Sequence, residues 1–128
     1  MPTTHTPTRI SDVRTVAVPV KDQDRAVEFY VGSLGFEIRM DGTFGEGLRW
    51  VEVAPVGATT SIALVAPGPD GRVGIDTGIR FATADAAADH AELRERGIDA
   101  DAEVLQQPVP MFTFRDLDGN TLYVVQEM

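Results

Sequence analysis

The stretch 22-DQDRAVEFYVGSLGF-36 decides how this chain is read. Ala26, Phe29, Tyr30 and Leu34 recur at helical spacing and share one apolar stripe. Asp22 stands where a helix N-cap belongs, and Gly35 where a helix ends in left-handed backbone. The pattern predicts a helix near Asp24–Ser33. Just upstream, Val16, Val18 and Val20 alternate with Thr15, Ala17 and Pro19, the period of a half-buried strand. Downstream come three strand-like runs, 36-FEIRMD-41, 48-LRWVEV-53 and 60-TSIALV-65, with Gly, Pro and Asp in the gaps.

The same order then recurs. Ile79 and Phe81 alternate with Gly78 and Arg80, Asp85 caps a helical run near Ala86–Arg96, and Gly97 ends it. Strand-like runs follow near Ala100–Glu103, at 111-MFTFR-115 and at 121-TLYVVQ-126. Asp22 to Gly35 is thirteen residues and Asp85 to Gly97 twelve, so the two copies keep their spacing. The organisation expected is a flexible tail at residues 1–12, one module at about 13–66, a Pro- and Gly-rich linker 66-APGPDGRVG-74, and a second module at about 75–128. Each module has one helix for about four strands. The helix covers one face of a sheet, and the other face must line something else. Val16, Val18, Val20, Ile62, Leu64, Ile79, Phe81, Leu122 and Val124 make an apolar set. Thr15, Ala17, Ser61, Ala63, Gly78, Arg80 and Tyr123 make a smaller, more polar one. The fold expected is α+β, with two βαβββ modules whose curved mixed sheets surround a cup-shaped cavity.

The 128 residues suit one such unit. No apolar run approaches the roughly 20 residues of a membrane helix, and the N-terminus has no basic patch leading into an apolar core. Cysteine is absent, which removes disulfides, zinc–thiolate sites and thiol nucleophiles. The net charge of −9, with no basic stripe, disfavours nucleic acid. The location expected is the cytoplasm, with no membrane partner.

The combination VPVKDQDRAVEFYVGSLGFE, GIRFATADAAADHAELRERG and FRDLDGNTLYVV resembles the vicinal oxygen chelate superfamily, which includes glyoxalase I, extradiol dioxygenases, fosfomycin-resistance enzymes and bleomycin-binding proteins. The resemblance covers roughly residues 13 to 127 and implies paired βαβββ modules and a homodimer. Asp118-Gly119-Asn120 then reads as the hairpin turn of the last module, since a calcium loop would be longer and would end in a glutamate. Metal-dependent relatives place His, Gln or Glu near the start of each module's first strand and Glu in its last strand. Here Thr15, Gly78, Ala63 and Tyr123 occupy those positions, and such a set offers a divalent metal no imidazole or carboxylate. His5 lies in the tail, and His90 reads as a solvated helix residue. No cofactor is expected.

Other cup-side residues suggest a different use. Glu52 and Arg80 either form an ion pair with each other or hold cationic and anionic ligand groups respectively. Trp50 and Tyr123 either form an aromatic wall or pack into the core. Met111 and Thr113 join Thr15 on the cup side if Phe112 and Phe114 face the helix; a one-residue slip exchanges the pairs. Phe44, in the loop 41-DGTFGEG-47, either lids the pocket or tucks inward. The resemblance implies a metal-free binder like the bleomycin-resistance branch, holding an aromatic or cationic small molecule. The second reading is a glyoxalase- or dioxygenase-like enzyme (lyase, isomerase or oxygenase) acting through Glu52, Tyr123 or an unrecognised metal set.

Overall fold

The structure, a computed structural model, describes residues 3–127; Met1 and Pro2 of the expected tail and Met128 at the end of the second module lie outside them. Residues 3–14 are exposed and carry no helix or strand. The first module runs β1 (Thr15–Pro19), α1 (Gln23–Val27), β2 (Glu37–Phe44), β3 (Leu48–Ala54) and β4 (Ser61–Val65). The second runs β5 (Asp76–Thr83), α2 (Ala86–Glu95), β6 (Met111–Arg115) and β7 (Thr121–Gln126). One sheet has the order β1-β4-β3-β2 and the other β5-β7-β6. The first strand of each module pairs in parallel with the last, β1 with β4 and β5 with β7, and the remaining pairs are antiparallel.

Both helices start as the sequence predicts. The Asp22 carboxylate accepts from the Arg25 N–H at 3.1 Å, and Asp85 accepts from Ala88 at 3.0 Å. Gly35 and Gly97 follow the helices with φ of 81° and 78°, a conformation that suits glycine. The first helix, however, changes character. After Val27 it continues as a π-helix over Glu28–Ser33, in which the Leu34 N–H reaches back to the Phe29 carbonyl at 3.0 Å. Consecutive residues Phe29 and Tyr30 are both buried there.

Two further expectations need correction. The strand near Ala100–Glu103 is reduced to isolated bridges, Ala100 with Phe114 and Leu105 with Met111. A few backbone bonds to β6, from the Asp101 N–H to the Thr113 carbonyl and from the Arg115 N–H to the Asp99 carbonyl among them, hold that segment together with polar side chains. Asp101 accepts from the Thr113 N–H and hydroxyl and from Arg115, while His90 Nε2 and Arg94 contact the Asp101 carbonyl. His90 is therefore not a solvated residue: it is half-buried, with its ring edge against Phe112 at 5.1 Å between centroids.

The alternation is otherwise as read. Val18, Val20, Ile62, Leu64, Leu122 and Val124 are buried beneath the helices, and Phe112 and Phe114 face inward, which places Met111 and Thr113 on the opposite side. One core spans both modules. Phe36 packs edge-on against Phe81 across the seam, with centroids 5.4 Å apart. The 116–120 turn supplies the polar half of that seam. Buried Asp116 accepts from the Tyr30 hydroxyl at 2.8 Å and from the Asp118 and Asn120 N–H groups. Buried Asn120 donates to the Pro19 carbonyl at 2.8 Å and accepts from the Gly74 and Ile75 N–H groups. Asp118 accepts from the Lys21 N–H. The turn thus clasps the first strand, the linker's end and the first helix together. Burial beside the Asp116 and Asp118 carboxylates pushes the Tyr30 phenol far above its ordinary range, so it remains a donor.

Candidate functional site

The outward face of the first sheet carries a buried carboxylate. Trp50 and Glu52 are two apart on β3 and share a face. The Trp50 indole N–H donates to Glu52 Oε2 at 2.6 Å, and the Ser61 hydroxyl donates to Oε1 at 2.5 Å. Glu52 is only 3 % exposed. These two donors, with help from the Arg14 guanidinium, hold its carboxyl below the usual range against the opposing effect of burial. Arg14 lies 3.6 Å away and is largely solvated. Thr15 Oγ1 is 3.4 Å from Ser61 Oγ and closes the group. Strand pairing sets Glu52 beside Ala63, and Ala63 beside Ala17. The row therefore reads Ala17, Ala63, Glu52: two small side chains and an anion.

The second sheet repeats the geometry with other chemistry. Pairing sets Arg80 beside Tyr123, and Tyr123 beside Thr113. The Arg80 guanidinium stacks on the Tyr123 ring at 4.5 Å and donates to the Gly78 carbonyl. The Tyr123 hydroxyl donates to Asp76 at 2.8 Å, a bond that pushes the phenol upward from its ordinary value. Thr113 is engaged with Asp101, and Met111 sits half-buried at the start of β6.

These residues form two groups, one on each sheet. Thr15, Trp50 and Glu52 lie on the first; Arg80, Tyr123, Met111 and Thr113 lie on the second. The expected Glu52–Arg80 ion pair is not made: among the described residues Glu52 pairs with Arg14, and Arg80 rests on an aromatic ring. The two strands belong to different sheets, which the alternation of each strand alone does not reveal. Phe44 is not in a loop. It ends β2 opposite Leu48 and is 51 % exposed on a hairpin tip. Ser61, Asp76 and Asp101 complete the two groups and were not picked out as site residues. Ser61 had a signal, since alternation already put it on Glu52's side.

The positions at which the resemblance implies metal ligands present a threonine hydroxyl (Thr15), a methyl (Ala63), a bare glycine (Gly78) and a phenol already bonded to Asp76 (Tyr123). This donor set does not fit a divalent ion. Among the described residues no three His, Cys, Asp or Glu side chains gather to hold one.

Between the modules a cleft of about 500 Å³ is floored by Val16, Ile62, Ile79 and Phe81, with Arg80 and Glu127 at its rim. Of the expected site residues, Arg80 lines it. No helix among the described residues is long and apolar enough to cross a membrane.

The model of the Glyoxalase/Bleomycin resistance protein/Dioxygenase superfamily matches residues 13–124. The chain is similar to the crystal structure of TnmS3, an antibiotic binding protein from Streptomyces sp. CB03234, at 37 % identity over 95 % of this chain and 100 % of that one, with a TM-score of 0.84. It is also similar to a crystal structure of a superfamily member from Sphaerobacter thermophilus DSM 20745, at 36 % identity, 94 % and 100 % coverage and a TM-score of 0.87. An uncharacterized Bacillus subtilis (strain 168) protein, YetH, is 32 % identical over 113 residues, which is 87 % of this chain and 94 % of YetH. Likeness to an antibiotic binding protein supports small-molecule binding at the level of the family.

Proposed function

We propose that this chain, which belongs to the glyoxalase/bleomycin resistance protein/dioxygenase superfamily, is a metal-free binding protein that sequesters an aromatic or cationic small molecule. The observation that carries this reading is the pairing of a buried Glu52 carboxylate with the Trp50 indole on one sheet face. An anion flanked by an aromatic plane complements a planar cation. The likeness to an antibiotic binding protein supports the same class of activity. The two half-sites lie on different sheets of one chain, and a homodimer with twofold symmetry would set the first half-site of one copy against the second half-site of the other.

An enzyme would need a base or acid poised near neutrality. Glu52 is held as a weakly basic anion and the Tyr123 phenol is held protonated, which disfavours both as proton-transfer groups.

The test uses the intrinsic fluorescence of Trp50, the sole tryptophan. Titration with cationic acridine orange should quench it and raise the melting temperature, while anionic 8-anilinonaphthalene-1-sulfonate should do so less. Glu52→Gln should erase the difference. Equal response to both dyes, or stoichiometric Fe, Mn, Ni or Zn retained through desalting together with turnover, would overturn the proposal.

A further inference from the structure

We propose that the cleft between the two sheets takes a short zwitterionic peptide in extended form, which adds a strand to the free edge of β5. The cleft shares Arg80 with the second half-site, but the inference does not depend on that reading, because the cleft floor and Ala82 belong to neither half-site.

The edge is defined by the hydrogen bonds on its other side. β5 is the outer strand of its sheet. The Glu127 N–H donates to the Thr83 carbonyl, so Thr83, and by alternation Phe81, point their amide groups toward β7. Arg80 and Ala82 therefore direct N–H and C=O outward. Both residues line the cleft, and among the described residues the sheet pairing of β5 is with β7 alone. An outward amide row is a template for another chain.

The cleft chemistry specifies what kind of chain. Its floor, Val16, Ile62, Ile79 and Phe81, is apolar; Ile62 is buried, and Val16, Ile79 and Phe81 are only partly buried by the protein itself. Such a surface suits the alternate side chains of an added strand. The rim carries one cation and one anion, Arg80 and Glu127. The ion pairs of the described residues engage Arg14, Arg39, Arg49, Arg96 and Arg115 and leave Arg80 outside them. Arg80 can receive a terminal carboxylate, and exposed Glu127 a terminal ammonium. A cleft of about 500 Å³ lies within the roughly 300–1,000 Å³ range of small-ligand sites.

The experiment uses the full ¹⁵N-labelled chain and three probes: the peptide Val-Phe-Val-Ile with free ends, the same peptide acetylated and amidated, and a version N-methylated at alternate residues. The free peptide should slow amide exchange at Arg80 and Ala82 by about tenfold or more. Capping its ends should weaken binding by about tenfold, roughly one charge-assisted hydrogen bond. The N-methylated peptide should leave both exchange rates unchanged. Exchange unaffected by the free peptide would overturn the proposal, as would equal slowing by the N-methylated one. So would protection of both amides before any peptide is added in a sample with twice the chain's mass, since a second copy would then hold the edge.

Discussion

The two modules repeat one backbone plan and spend it differently. In the first, four strands form a complete sheet, and its outward row of Ala17, Ala63 and Glu52 sinks a carboxylate to 3 % exposure. In the second, three strands suffice, and the matching row of Arg80, Tyr123 and Thr113 stays partly in solvent. Small side chains leave a recess in which a charge must be satisfied by fixed donors, whereas large ones fill the same register and satisfy themselves at the surface. The repeat fixes where side chains point; their size decides whether the position becomes core, recess or rim.

The largest effect that tests this contrast is at Glu52. Glu52→Ala strands the Trp50 N–H, leaves the Ser61 hydroxyl only its longer contacts to Thr15 and the Arg14 carbonyl, and should cost about 2–3 kcal/mol by urea denaturation. A loss within experimental error of zero would mean that the recess is wet. The carboxyl is lowered in the fold, so its contribution is complete above the unfolded glutamate pKa of about 4.3 and is lost as pH falls through the folded value. The stability gap between wild type and Glu52→Gln should therefore be constant at neutral pH and close in acid.

Next comes the clip that replaces the missing strand of the second module. Burial pushes Asp101 up, but Arg115 and the Thr113 N–H and hydroxyl outweigh it and leave the carboxyl lowered. Asp101→Ala should cost about 1–2 kcal/mol and speed amide exchange at Thr113. Unchanged exchange there would show that the segment from Ile98 to Leu105 is held by its backbone bonds to β6 and its apolar contacts without the Asp101 side chain.

The smallest effect is expected at Tyr123. A fully packed ring would cost roughly 3–5 kcal/mol on truncation. A half-buried ring lying under Arg80 should cost far less in Tyr123→Ala. A loss in the larger range would make the two rows alike and remove the contrast.

Local signals made much of the fold legible. Asp22, Asp85, Gly35 and Gly97 mark helix ends by chemistry that acts within a few residues, and the structure places all four there. Alternation paired Phe112 with Phe114 and Met111 with Thr113 but left open which pair faces inward; the structure buries the phenylalanines. Non-local facts were not legible. The segment near Ala100 meets β6 at only a few backbone points and is otherwise held by the Asp101 side chain's bonds to Thr113 and Arg115, which no period in the sequence encodes. The change to π-helix at Glu28 buries both Phe29 and Tyr30, whose hydroxyl has its acceptor on a loop 86 positions away. Glu52 and Arg80 each lie on the face that alternation assigned them. Whether they meet depends on how two sheets sit relative to each other, and no single strand carries that information.

The clasp at Asp116–Asn120 has a consequence for connectivity. Three of its hydrogen bonds, from Tyr30, to Pro19 and from Lys21, join residues before the linker to residues after it, and Arg96 adds a fourth through the Ser33 carbonyl. The Phe36–Phe81 contact lies in the same seam, so the two halves should adhere without help from the covalent chain. A single protease nick near Gly71, in an exposed turn, should thus leave both fragments bound in one native particle, parting only when the seam itself melts. Covalent continuity serves to find this arrangement, and the clasp serves to keep it.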